Sequence, residues 1–486
     1  MGSKQLTKSR FIHATQCPKL LWLKAHAKET LTTDEDRRNF MMEQGTAISE
    51  LAHNLFPKGT RIDNNLSYYD KLTKTTARLK KNTPIFEGVF LFQNLFCMVD
   101  ILQKTGDQWT IIKIKSATRI KELHIKDIAF QYYLLKQLNI PIKDCYIYHI
   151  NTNYDRNNKL DINQLFTKTN ITEQVLNIQS NIKEDIDSYR EILLKTTAPH
   201  TPIGKHCLTP FPCHAYNECW KKVPKKSIFN VHGLPMAKKL EHYTLGNINL
   251  NTLNSKEFTK KSQKIQIICE QEDLDYINIE QINKFIESLN YPLSFLDFEA
   301  FQTAIPPFNH THPYQQIPFQ YSLHIQKKTK PFTHQHFIGN GQDDPRYTLT
   351  TQLLKDIPKT GHIIVFNRQY ETDILQHLAT LVPEYSQQLN NLCKRMIDLA
   401  TPFQKGHIYL RKMNGNYSLK SILPAMITTK ESNTNTIDSG FYANLAYHSI
   451  IKKKDIKTHT DQLKKYCYQD TLSMLQIIEQ LKRIVN

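Results

Sequence analysis

The spacing of apolar residues changes period along the chain, and each period predicts an element. Residues 1–57 carry apolar positions at helical spacing, ending at the breaker Phe56-Pro57. Three runs rich in β-branched and aromatic residues follow, 86–92, 95–102 and 109–115, and each reads as a strand. The first two flank Gln93-Asn94, a turn-like pair that predicts a hairpin. In 122–139 the residues Ile125, Ile128, Ala129, Tyr132, Leu135 and Leu138 fall on one stripe, which predicts a helix. Residues 145–150 read as a further strand, and helices then lead into a Cys/Pro segment at 207–220. Residues 224–285 are rich in Lys and Asn with mixed signals, and read as a connector with short helices. A second strand-led region opens at Pro292. Its predicted strands include 293–298, 318–325 and 362–366, and its last helix covers 461–483.

This order predicts an α/β chain of two domains, 1–223 and 286–486, joined by 224–285. A length of 486 residues agrees with two or three domains at roughly 150 residues each. Lys and Arg number 63 against 45 Asp and Glu, a net charge of +18. Such a surplus attracts polyanions, of which nucleic acid is the commonest large one, although a solvated basic surface has the same composition. No apolar run reaches the roughly 18 residues of a membrane span, and the amino terminus lacks the apolar core of a signal peptide. The expected location is cytoplasmic, with no membrane partner. The nine cysteines are then expected to be reduced, not a disulfide framework.

Three short motifs carry chemistry in the second region. Asp297 and Glu299 lie two apart on an apolar strand and so share a face. Adjacent carboxylates repel, and a divalent cation relieves the repulsion; oxygen ligands suit Mg²⁺ or Mn²⁺. A later strand runs into Asn367, Tyr370 and Glu371 at the start of a helix, and the last helix carries Tyr466 and Asp470, four apart on one face. Asp398 reads as a structural strand-end residue. Lys420, in a helix opened by Tyr417-Ser418, is read either as a solvated cap residue or as a phosphate contact. In order and element type these pieces resemble the motifs of the DEDDy branch of ribonuclease H-like 3′–5′ exonucleases. The resemblance implies that Asp297, Glu299, Glu371 and Asp470 bind two metal ions and that Tyr466 orients the attacking water. It departs from the family at Glu371, where Asp is usual.

In the first region Asp100 lies in one strand, Lys113 and Lys115 in the next, and Asp127 and Gln131 in the following helix. In that order these residues resemble RecB-like PD-(D/E)XK nucleases, particularly the iron–sulfur members such as CRISPR-associated and AddB-type exonucleases. Upstream, Gly45 to Glu50 matches the helical first motif and Glu87 opens the hairpin. The family's second acid is replaced by Lys113, which cannot ligate Mg²⁺ and opposes a cation beside Asp100. A degenerate site that binds DNA is therefore expected, with Lys113 and Lys115 facing a phosphate from one side of the strand. Cys17 and the trio Cys207, Cys213 and Cys219 bracket this region as in the iron–sulfur members, which implies a [4Fe–4S] cluster; Zn²⁺ is the alternative four-thiolate occupant. Cys97, Cys145, Cys269, Cys393 and Cys467 read as unpartnered thiols.

The phrases QCPKLLWL, YPLSFLDFEA and YCYQDT also resemble an uncharacterised bacterial family that fuses both nuclease types. The expected function is a metal-dependent nuclease with 3′–5′ exonuclease chemistry in the second domain, acting on nucleic acid with DNA favoured over RNA. Two alternatives stand beside it. In one, both centres are active and the first uses Asp100 with Glu87 or Glu50. In the other, the protein is a non-catalytic nucleic-acid-binding subunit of a repair or defence complex.

Overall fold

The computed structural model describes residues 5–427 and 437–486. The chain divides into two compact units: Met1–Lys222 with Thr303–Gln315, and Val223–Gln302 with Gln316–Asn486.

The first unit is built on a seven-stranded sheet. Its strands are β1 (Leu6–Thr7), β2 (Thr60–Arg61), β3 (Ile85–Phe92), β4 (Leu95–Thr105), β5 (Gln108–Lys115), β6 (Ile142–Ile150) and β7 (Phe166–Asn170). They run in the order β2-β3-β4-β5-β6-β7, with β1 parallel to β4 at the margin. Gln93 and Asn94 turn the β3–β4 hairpin with φ of 43° and 65°, the left-handed pair that matches strand twist. The helix Glu122–Gln137 crosses from β5 to a parallel β6. On one face Phe11, Phe130, Leu134 and Ile186 pack with Val99 and Ile111. On the other, Ile48 and Ala52 pack with Ile101, Ile112 and Ile114.

The amino-terminal segment departs from the continuous helical reading of 1–57. Leu6–Thr7 is a strand, and helices then cover Lys8–Gln16, Pro18–His26 and Glu35–His53. Capping explains the breaks. Thr7 accepts from Arg10 N at 3.2 Å, Pro18 starts a helix at its first position, and Asp34 accepts from Arg37 N at 2.9 Å. The loop Thr303–Gln315 belongs to this unit because Arg156 Nη1 donates to the Pro306 and Pro307 carbonyls, both at 2.8 Å. The Tyr314 hydroxyl donates to the Ser116 carbonyl as well.

The second unit holds β8 (Tyr276–Ile277), β9 (Leu293–Phe301), β10 (Ile317–Gln326), β11 (Thr333–Ile338), β12 (Ile363–Val365), β13 (Met396–Asp398) and β14 (Ile408–Tyr409). Five of them form a sheet in the order β11-β10-β9-β12-β13, and β8 pairs with β14. β11, β10 and β9 are antiparallel, whereas β9, β12 and β13 are parallel. Alternation along β9 sends Leu296 and Phe298 to a core with Leu349, Ile374 and Leu389. It sends Leu293 and Phe295 to the core made with Ile477 and Ile478 of the long helix Ile456–Val485. Residues 224–285 pack as part of this unit, through Ile282 and Cys269 in that second core. Among the described residues no helix is long and apolar enough to cross a membrane.

Candidate active site

β9 presents Asp297 and Glu299 on the face that carries Phe295, toward the helix Ile456–Val485. The register pairs Asp297 with Ser322 and Glu299 with Gln320 on β10. That helix is clamped to β10 by polar contacts that fix its rotation. Thr471 Oγ1 lies 2.7 Å from Ser322 Oγ and 2.8 Å from His324 Nδ1, and Gln320 Nε2 donates to Leu463 O at 2.9 Å. Tyr466 and Asp470 are thereby brought over Asp297 and Glu299. Glu371 enters from the first turn of the helix Arg368–Leu381, which follows β12. Asp398, at the end of β13, accepts from Arg368 N at 3.0 Å and from Ala400 N at 2.9 Å. It holds the start of that helix, the structural part expected of it.

Asp297, Glu299, Glu371, Tyr466 and Asp470 line one cleft of about 460 Å³. Glu299 and Glu371 are 7% and 1% exposed, so their extra methylene relative to Asp does not carry them out to solvent. Burial, with Asp470 close by, pushes the Asp297 carboxyl up to about 8. Burial and the Asp297 and Asp470 charges hold Glu299 well above the carboxylate range, and burial with Asp297 and Glu299 does the same to Glu371. Asp470 rises to about 6 by burial, moderated by Lys420 and a hydrogen bond from Tyr466. Glu371 Oε2 is buried without a hydrogen-bond partner. Four carboxyls that oppose one another's ionisation, one with an orphaned oxygen, fit a hard divalent cation.

Two side chains near the acids had no individual signal. Cys467 is fully buried, with Sγ 3.4 Å from Asp297 Oδ2, and its ligand atom lies within 4.8 Å of those of Asp297 and Glu299. Its place between Tyr466 and Tyr468 gave no spacing to read. Asn444, from the helix Gly440–Ile451, lines the same cleft and comes from a segment without a motif. Lys420 stands 5.0 Å over the Tyr466 ring and donates to the Asp438 carbonyl, so it is more than a solvated cap.

In the first unit the expected acids part company. Lys113 pairs with Asp100 Oδ1, whose other oxygen accepts from Ile114 N at 3.0 Å. Burial alone would lower the Lys113 ammonium, but Asp100 and Asp127 raise it above the lysine range. Lys115 Nζ is 2.8 Å from Asp127 Oδ2, and Gln131 Nε2 donates to Asp127 Oδ1 at 2.7 Å. Lys113 and Lys115 thus spend their charge on internal carboxylates, which differs from the expected open phosphate contact. Glu50 is exposed and pairs with Arg61 at 3.2 Å. Glu87 is half-buried, and burial with Asp100 pushes it up to about 7.

Cys17, Cys207, Cys213 and Cys219 line one small pocket with Leu20 and Tyr216. Gln16 Nε2 ties the first to the others by donating to the carbonyls of His206 and Phe211, each at 2.7 Å. Burial pushes the Cys213 thiol up to about 11. Among the described residues no three of these sulfurs lie within 4.8 Å of one another.

Residues 294–418 match a family described as a domain of unknown function, DUF2779. That segment takes in Asp297, Glu299 and Glu371 and ends before Tyr466 and Asp470. The chain is also 22% identical over 459 residues to an uncharacterized protein of Mycoplasma genitalium, MG366, covering 80% of this chain and 68% of that protein. Neither description names an activity.

Proposed function

We propose that the second unit is a DEDD-type nuclease that removes nucleotides from a 3′ end of nucleic acid, with DNA favoured, and that the first unit is a degenerate nuclease domain that grips the substrate. One observation carries this reading. Acids distant in sequence, at 297, 299, 371 and 470, meet in one cleft beside Tyr466, with a buried Glu371 oxygen left unpartnered. The 3′–5′ direction comes from the motif resemblance. Bound Mg²⁺ or Mn²⁺ would supply an activated water and charge to stabilise the leaving oxygen. The chain's own residues do the rest. The four carboxylates would hold the cations, and the Tyr466 hydroxyl, bonded to Asp470, would orient the attacking water.

For the first unit, the Lys113–Asp100 pair speaks against cleavage, and binding there rests on the basic surplus of the chain and the motif resemblance. An ammonium already neutralises the carboxylate that a cation would need. The pocket shared by the four thiols supports a four-thiolate site there, and the motif resemblance makes a [4Fe–4S] cluster the favoured occupant, with Zn²⁺ the alternative.

The test is digestion of end-labelled DNA and RNA with Mg²⁺ or Mn²⁺, comparing wild type with Asp297→Ala. Stepwise shortening from the 3′ end by wild type alone is expected. Failure of wild type on every substrate hands the function to the non-catalytic binding-subunit reading.

A further inference from the structure

A second cleft in the same unit, of about 500 Å³, is lined by Phe229, His232, Lys239, Phe366, Asn414 and Tyr417 among others. Phe366 lines the acid cleft as well, so the two share a wall. Most of its first wall comes from the 224–285 segment, which carries none of the nuclease motifs.

Its chemistry is that of a nucleobase site. The rings of His232 and Tyr417 are stacked with centroids 3.9 Å apart, and Phe229 and Phe366 add two more aromatic surfaces. The side-chain amides of Asn414 and Asn416 offer both donors and acceptors to a base edge. Lys239, whose ammonium donates to the Phe229 carbonyl at 2.7 Å, adds a cation to the wall. Tyr417 is only 5% exposed, yet its hydroxyl is buried without a partner. That hydroxyl lies on the core side, near Cys269, so it is the Tyr417 ring that serves the cleft.

The cleft is also fixed in shape. Gln266 accepts from His232 N at 3.0 Å and donates to Asn230 O at 2.9 Å, while Gln263 Nε2 donates to His232 O at 3.0 Å. Gly415 has φ +71°, and a Cβ there would fall 1.8 Å from Asn230 O. Only glycine lets the 414–418 loop lie against the 229–232 wall.

We propose that this cleft is a second nucleotide subsite, which takes an unstacked base of a single strand whose 3′ end lies in the acid cleft. The assignment rests on the nuclease reading above and narrows its substrate to single-stranded ends. A base inside a duplex is already stacked and paired on both sides and cannot enter.

The test uses the full-length protein with Asp297→Asn, so that nothing is cut. It is titrated with a single-stranded oligonucleotide carrying 2-aminopurine near its 3′ end, whose fluorescence falls on stacking. Expected are quenching by the parent and no quenching with the blunt duplex. His232→Ala should bind about ten-fold weaker or worse, within the range of a lost aromatic platform. Lys239→Ala should weaken binding and keep the quenching. Tyr417→Leu, which removes the second stacked ring, should likewise bind several-fold weaker, and Lys239→Ala decides the matter if the two ring variants melt early. Equal affinity and quenching in all three variants would overturn the subsite. Degradation by the wild-type protein is scored separately. Quenching that depends on His232 without any degradation keeps the subsite and removes the exonuclease. Degradation with no dependence on His232, Lys239 or Tyr417 removes the subsite alone.

Discussion

The ammonium of Lys113 on β5 pairs with the carboxylate of Asp100 on β4, and the two side chains are 7% and 14% exposed. A permanent cation therefore occupies the side of Asp100 where a metal would bind. Removing Asp100 strands a buried charge, which typically costs about 3–5 kcal/mol. Asp100→Ala should thus lower the stability of the first unit in denaturant titration by several kcal/mol, while per-molecule nuclease activity at low temperature is retained. Asp297→Ala should leave no activity at all. Residual cutting by Asp297→Ala that vanishes on adding Asp100→Ala would establish a second working centre.

The acid cleft is held together against its own electrostatics. Burial and mutual repulsion raise Asp297, Glu299 and Glu371 together. Asp297→Asn or Glu371→Gln should abolish degradation and yet stabilise the metal-free protein. One kcal/mol moves the melting point of a unit this size by about 2–4 °C, and a rise of that order is expected in EDTA. Mn²⁺ should raise the melting point of wild type and not that of Asp297→Asn. A melting point lowered by both substitutions would show that the carboxylates are structural.

Local motifs were the legible part of this chain. Strand alternation placed Asp297 and Glu299 on one face, and helical spacing placed Tyr466 with Asp470, because both follow from backbone geometry within a few residues. The Gln93-Asn94 hairpin was legible for the same reason. What tertiary packing decides was hidden. Cys467 meets Asp297 only because Thr471 fixes the rotation of its helix on β10. Loop 303–315 reads as part of the region that carries the acids, but the guanidinium of Arg156 holds it in the first unit. The 224–285 segment had no clear periodicity, since polar Gln263 and Gln266 do much of its anchoring.

Glu87 gives the first unit a pH dependence of defined sign. Its folded value, pushed up to about 7 by burial and then by Asp100, lies above the about 4.3 of an unfolded glutamate. The folded state binds more protons between those values, so stability falls as pH rises from about 4.3 through about 7. Asp127 acts elsewhere. Burial would raise it, but Lys8, Lys115 and Lys113 hold it well below its usual range, so its contribution is lost only in acid. Unfolding of wild type and Glu87→Gln at pH 5 and pH 8 isolates the effect, because shared histidines cancel in the difference. Wild type should lose more stability than the variant over that interval. Equal losses would mean that Glu87 ionises normally.

The four thiols near the amino terminus set the last expectation. Cys17 comes from the start of the chain and Cys207, Cys213 and Cys219 from the end of the first unit, so a shared ligand closes a loop spanning nearly all of it. Three of the four thiols are buried, and burial keeps Cys17 and Cys213 protonated in the absence of a cation. Uncompensated, the pocket holds only weak thiol hydrogen bonds; with four iron–thiolate bonds it becomes a cross-link. The motif resemblance, in which Cys17 and the 207–219 trio bracket the first domain, favours the multi-iron occupant over zinc. Anaerobically purified protein should therefore be brown, with iron and acid-labile sulfide in similar amounts. Cys213→Ala should lose colour and both elements and lower the melting point of the first unit. Cys393→Ala, a buried thiol of the second unit, should lose neither. One equivalent of zinc without iron or sulfide would keep the four-thiolate site and reject the cluster. Full stability of Cys213→Ala with no metal in wild type would reject both.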